Sequence, residues 1–221
     1  MRLALPPPPI VHVGHPALRQ RAAPVLDLRG RETRRVIGQL VRALDAHDGS
    51  GLAAPQIGEP VRILAVRDLF NRLPSADALA PHLGDVQRAR LLRISPVVAI
   101  NPTITAASDD HDEDWEACLS LPGLWGLVRR PRAVSVRFTA PDGAETAHEC
   151  VGWAARVFQH ELDHLDGVLF IDRLVHGVAG LVHESELHHQ LPSEEDGGAV
   201  ARPAAGPCLL YTSDAADDSL R

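Results

Sequence analysis

The chain has 221 residues, 45% of them hydrophobic and 23% charged, the proportions of a soluble globular domain. Its net charge of −7 leaves no electrostatic case for nucleic-acid binding, and the use of arginine for every basic residue looks like codon bias rather than function. No apolar run approaches the roughly 20 residues that cross a bilayer, the proline-broken first ten residues do not read as a secretory signal, and three cysteines (Cys118, Cys150 and Cys208) fit a reducing cytoplasm better than a disulfide framework.

In chain order, residues 5–10 form a proline-rich extended lead-in, and V-G-H-P-A-L-R at 13–19 turns around Gly14-His15-Pro16. His12 and His15 have no partner at metal-ligand spacing and read as surface residues. Residues 32–46 repeat Val36, Ile37, Leu40, Val41 and Leu44 at helical spacing, ending at Asp48-Gly49. The stretch G-S-G-L-A-A-P-Q-I-G at 49–58 either lets backbone approach something closely or is a tight turn leading into the next strand, and no Gly-Lys-Ser/Thr follows, so it is not a phosphate loop. Gln56 within it offers two amide N–H donors. A strand is predicted at 61–66. Residues 68–93 read as an irregular surface connection, with a helical pattern at 85–92.

A second strand is predicted at 97–104, interrupted at Asn101-Pro102, and the acidic stretch 106–114 reads as a solvated loop. Cys118, in W-E-A-C-L-S-L-P-G, is either a core thiol or a soft thiolate ligand. Residues 134–139 and 145–151 alternate as strands around the turn Pro141-Asp142-Gly143, with Cys150 as a buried small hydrophobe. A short strand at 168–171 and a last helix at 179–190 are predicted, with His183, His188 and His189 on the surface. Residues 192–221 read as a disordered acidic tail. Within it, 208–218 (C-L-L-Y-T-S-D-A-A-D-D) looks like a translated sequencing adapter and is set aside from fold reasoning.

The centre of the chain's chemistry is Q-H-E-L-D-H at 159–164. Histidines at i and i+4 share one face of a helix, and this H-E-x-x-H spacing suits a divalent metal with a carboxylate beside it as proton carrier. The same spacing arises when two core histidines happen to sit one turn apart. Trp153, Val157, His160 and His164 form one stripe, and Ala154, Phe158, Leu162 and Leu165 a second. Arg156, Gln159, Asp163 and Asp166 take the remaining side. A helix apolar on two faces is expected to run through the middle of the domain, with Gly167 as its stop.

Three segments, GSGLAAPQIG, EACLS and QHELDH, together resemble the peptide deformylase family, whose motifs read G-x-G-x-A-A-P-Q-x-G, E-G-C-L-S and Q-H-E-x-D-H. The resemblance runs from about residue 13 to 174, including the G-x-P-x-L-R opening and D-G-V-L-F-I-D-R-L after the helix. The lead-in G-W-A-A-R is similar to the organellar-type branch. One position departs: Ala117 stands where the family has glycine, harmless if that backbone is extended, strained if φ is positive.

The resemblance implies an α+β fold: mixed or antiparallel β-sheets wrapped around a central metal-binding α-helix, with an N-terminal helix. It implies one catalytic domain over residues 1–191. It implies Cys118, His160 and His164 as ligands of one divalent ion, commonly ferrous iron in the family, with zinc or another divalent metal able to substitute. A fourth ligand position stays open for water, whose pKa falls from about 15.7 toward roughly 7 at such a metal.

The implied reaction removes formate from the N-terminal formyl-methionine of new polypeptides. Glu161 moves the proton, and the Gln56 amide and the Leu119 backbone N–H stabilise the oxyanion. Gly51 admits substrate backbone, and Trp153 and Val157 are candidates for the methionine pocket. Glu116 and Asp163 are either orienting groups for the ligands or ion-pair partners of Arg129 or Arg130. The implied partners are nascent polypeptide N-termini and, transiently, the ribosome, although an acidic tail replaces the family's basic C-terminal extension. No nucleic acid or membrane partner is expected, and the expected compartment is the cytoplasm. Two rivals remain at this stage: an H-E-x-x-H metallopeptidase with a downstream third ligand, and a catalytically inactive formyl-peptide binding protein.

Overall fold

The computed structural model describes residues 6–47, 49–67 and 95–190. The predicted connection at 68–93 and the acidic tail from 192, with its adapter-like stretch, lie outside the described residues. Helix α1 spans Arg31–Ala46 and buries Val36, Leu40, Ala43 and Leu44, the face its spacing predicts. Leu40 and Leu44 are fully buried, each contributing about 1.5–3 kcal/mol of apolar transfer. They enter an apolar cluster with Leu52, Ile57, Ile63 and Ile100.

Strands β1 (Gly51–Ala53), β2 (Ile63–Val66), β3 (Val97–Ala107), β6 (Ala133–Thr139) and β7 (Glu145–Val151) form one antiparallel sheet in the order β1-β2-β3-β6-β7. Strands β4 (His111–Cys118), β5 (Leu121–Pro131) and β8 (Leu181–His183) form a second, in the order β4-β5-β8. Helix α2, Trp153–Leu165, packs against β1, β2 and β7 of the first sheet and β5 of the second. It ends where expected: Gly167 takes φ +76°, and a β-carbon there would lie 3.0 Å from the Arg19 backbone, so only glycine fits the stop. The architecture is α+β, with the sheets around α2.

Three local expectations are corrected, and the interruption expected at Asn101-Pro102 is present. β3 runs through it with a register shift, and Asn101 adopts φ +51° while its amide exchanges hydrogen bonds with the Val25 backbone (2.8 and 2.9 Å). The acidic stretch 106–114 is largely strand, because its two halves pair along β6 and β5 and Asp112 finds Arg156 on α2. Residues 168–171 are not a strand; a 3-10 turn, Phe170–Arg173, buries Phe170 there. The last helix resolves into two 3-10 turns, Gly177–Gly180 and Glu184–His189, around β8, since strand pairing with β5 takes its middle. His183, His188 and His189 are exposed, and Cys150 is fully buried, as expected.

Candidate metal centre and its surroundings

Helix α2 is buried on all sides, not on two. The polar residues Arg156, Gln159 and Asp163 are as enclosed as its apolar stripes. The helix carries His160, Glu161 and His164 inward, and β4 delivers Cys118 at its last residue. The Cys118 sulfur and one nitrogen of each imidazole all lie within 4.8 Å of one another, all three residues buried. Cys118 Sγ is 3.2 Å from His164 Nε2. Among the described residues this is the one such grouping of three metal-binding side chains.

The donor set suits a divalent cation. His160 donates from Nδ1 to Glu116 Oε2 at 2.9 Å, which orients the ring with Nε2 free for a ligand. Burial works to lower the His160 pKa, but the Cys118 sulfur and the Glu116 carboxylate on either side outweigh it and raise the ring well above its ordinary value. His164 moves the other way: burial, then the neighbouring His160 and Arg130 charges, hold it well below its ordinary value. One sulfur and two ring nitrogens converging in a buried space are a donor set for a divalent cation. Two further atoms point the same way: Glu161 Oε2 and His164 Nδ1 are buried without a hydrogen-bond partner among the described residues.

Glu161 is 1% exposed, and burial raises its carboxyl to about 7. Gly51, at the start of β1, stands directly against it. A β-carbon at Gly51 would lie 2.6 Å from Glu161 Oε1 and 2.8 Å from Val157 Cγ1. The glycine is therefore required by the close approach of α2 to β1. Gln56, in the 3-10 turn Ala54–Ile57, accepts the Ala53 N–H at 2.8 Å and turns Nε2 to Cys118 Sγ and Ser120 Oγ, both at 3.5 Å. The Ser120 N–H also points at the sulfur, at 3.4 Å. The N-terminal segment ties these loops together: Val11 N–H donates to Gln56 O and Val13 N–H to Ser120 O.

Ala117 lies in extended β4 without positive φ and faces Trp125, so its methyl strains nothing. Trp153 packs into the same cluster with Trp115 and Leu187, while Val157 is buried in the main core. A cavity of about 140 Å³ opens beside Cys118, with Ile10, Ala117, Leu119, Pro122 and Trp125 as apolar wall and His47 and Glu184 as polar rim. Neither Trp153 nor Val157 lines it. Exposed His12 does, without joining the metal-binding grouping.

Glu116 proves to be both of the things its sequence context allowed. It orients His160 and also takes Arg130 through both oxygens, Nε at 2.7 Å and Nη2 at 2.9 Å. Burial would raise its carboxyl, but Arg130 and the His160 contact hold it well below the usual range. Asp163 accepts from Arg130 Nη1 at 2.9 Å and from Arg173 at 2.5 and 2.6 Å. Arg129 is exposed and takes no part. Arg156, which donates to Glu116 and Asp112, was legible in sequence only as a polar helix position.

Comparison with known proteins adds a lineage to this geometry. The family model of polypeptide deformylase matches residues 7–178. Peptide deformylase 2 of Nostoc is 37% identical over 166 residues, 75% of this chain and 85% of that protein. The mitochondrial peptide deformylase of Homo sapiens is 37% identical across 78% of this chain and 71% of its own. Among solved structures, the peptide deformylase of Synechococcus elongatus in complex with actinonin superposes with TM-score 0.62 at 33% identity, covering 79% of this chain and 82% of that one. That of Thermotoga maritima gives 0.61 at 32%, covering 76% and 97%.

Proposed function

The chain belongs to the polypeptide deformylase family, a family of metal-dependent hydrolases that remove N-formyl groups, and we propose that Cys118, His160 and His164 hold its one divalent ion. Ferrous iron is the proposed native metal, with zinc as substitute, since a thiolate with two imidazoles suits both. When bound, such an ion supplies Lewis-acid activation of a water and of the formyl carbonyl.

The chain's own residues do the rest. Glu161, raised by burial and with one oxygen unpartnered, takes a proton from the attacking water and returns it to the leaving amine. Gln56 Nε2, fixed from behind by the Ala53 N–H on its oxygen, donates to the oxyanion beside the sulfur. The Leu119 backbone N–H is the second proposed donor. β1 and β4 are the outer strands of their sheets, and a peptide laid along either pairs through its backbone, which gives little sequence selectivity. The apolar wall beside Cys118, with Ile10, Leu119 and Trp125, is the proposed receiver of the methionine side chain in place of Trp153 and Val157, which lie outside that cavity, and Gly51 is the proposed point of backbone approach. The proposed substrates are new polypeptide N-termini in the cytoplasm, met during transient contact with the ribosome. No helix among the described residues is long and apolar enough to cross a membrane.

The observation that carries this proposal is the meeting of Cys118 with His160 and His164 beside Glu161 and Gln56. Anaerobically purified protein is expected to contain one equivalent of iron or zinc and to release formate from formyl-Met-Ala-Ser. Cys118→Ala is expected to lose both. A Cys118→Ala protein that keeps its metal would point to a metallopeptidase with a downstream ligand, and metal-loaded wild type without turnover to a binding protein.

A further inference from the structure

Arg156 lies one turn before His160 on α2, so both side chains reach the same feature of β4. That feature is the Glu116 carboxylate: Arg156 Nη1 donates to Oε1 at 2.8 Å while His160 Nδ1 donates to Oε2 at 2.9 Å. Arg156 makes three further contacts to the smaller sheet. Nη1 also donates to Val128 O on β5 at 3.0 Å, and Nη2 donates to Asp112 Oδ1 at 2.5 Å and Asp112 O at 3.2 Å. One buried guanidinium therefore grips β4 at Asp112 and again at Glu116, two residues before Cys118. The spacing between strand and helix is the spacing between the sulfur and the two rings.

We propose that Arg156 is a positioning residue for the metal centre. It acts through Glu116 to hold the His160 ring and through β4 to hold Cys118 at ligand distance from α2. Arg130 duplicates the contact to Glu116 but stands on β5. It also reaches α2, donating from Nη1 to Asp163 at 2.9 Å, but it does so from β5, whereas Arg156 is carried by the helix itself. Arg156 is the one arginine on Glu116 that shares an element with two of the three proposed ligands.

The inference rests on the ligand set proposed above, and the test separates the two. Metal-loaded wild type, Arg156→Met, Arg156→Lys and, as a charge control at the exposed Arg129 of β5, Arg129→Met are compared. Each is titrated against a chelator for zinc affinity and examined with cobalt for its thiolate and ligand-field bands. Wild type that binds no metal through Cys118 overturns the ligand set itself. If wild type binds, Arg156→Met is expected to lose about 10–100-fold in zinc affinity, the range typical of groups that orient metal ligands, with a shifted cobalt spectrum. Arg156→Lys should recover part of the affinity, and Arg129→Met should equal wild type. Asp112 is partly exposed, so Asp112→Asn loosens the outer grip in a variant with little risk of misfolding. It is expected to lose a few-fold in affinity. A lowered melting temperature with unchanged zinc affinity and cobalt spectrum in the Arg156 and Asp112 variants would make Arg156 merely structural and overturn the proposal.

Discussion

Helix α1 buries one face: Val36, Leu40, Ala43 and Leu44 enter an apolar cluster while Arg31, Arg34 and Arg35 stay in water. Helix α2 buries nearly every face, and on one of them Arg156, Gln159 and Asp163 are enclosed with their partners. Around that face three arginines (Arg130, Arg156, Arg173) meet three carboxylates (Asp112, Glu116, Asp163). Apolar packing is non-directional and tolerates small shifts of a helix on its sheet. A buried hydrogen-bonded ion network adds little net stability compared with apolar packing, yet it has few arrangements that leave no charge unpaired. The helix that only has to be present is held by oil; the helix that has to be in register with a sulfur is held by directional bonds.

The sharpest way to break this contrast is at Glu161. Glu161→Gln is expected to lower kcat for formate release by about 10²–10⁴-fold, with metal content and melting temperature kept, because it removes a buried unpartnered charge. The opposite result belongs to α1. Leu40→Ala is expected to cost about 2–5 kcal/mol of stability by denaturant titration, while kcat per folded molecule stays at the wild-type value.

Gly51→Ala tests the junction between the two regimes. Its methyl displaces the Glu161 carboxyl, so kcat is expected to fall more than the roughly 1–3 kcal/mol of overpacking lowers stability. Asp114 sharpens the electrostatic side. Burial raises its folded pKa to about 6 from an ordinary 3.8, so the folded state binds the proton more tightly. Its stabilising share is complete below about pH 3.8 and lost as pH rises through about 6. Asp114→Asn, which keeps the acceptor for the Trp115 N–H, is expected to gain about 1 kcal/mol at pH 8 after allowance for partial exposure, and nothing at pH 4. The smallest effect belongs to the surface of α1: Arg35→Ala, removing pairs with Glu32 and Glu59, is expected to cost under about 1 kcal/mol.

What could be read along the chain was local or periodic. α1 was legible within one residue because its apolar repeat is strong. The β6–β7 hairpin was legible because Pro141-Asp142-Gly143 stands between two alternating runs, and Gly143 does take φ +93°. The acidic stretch 106–114 was misread because its strand partners β5 and β6, and the Arg156 that meets Asp112, come later in the chain. The helix expected at 179–190 yielded to pairing with β5, which no local propensity records.

By itself the sequence determined the chemistry on offer: two histidines one turn apart, a carboxylate between them, a cysteine and an amide in motifs of their own. Short-range spacing settles which side chains share a helix face or a turn. Only the tertiary structure decided that Cys118 meets both rings, that Gly51 stands against Glu161, and that Arg156 joins Asp112 and Glu116 to the histidine helix. Arg156 and Glu116 are 40 residues apart in the chain. Contacts over such separations exist only once both sheets have closed on α2, because the burial that strengthens them comes from the packing of the whole domain.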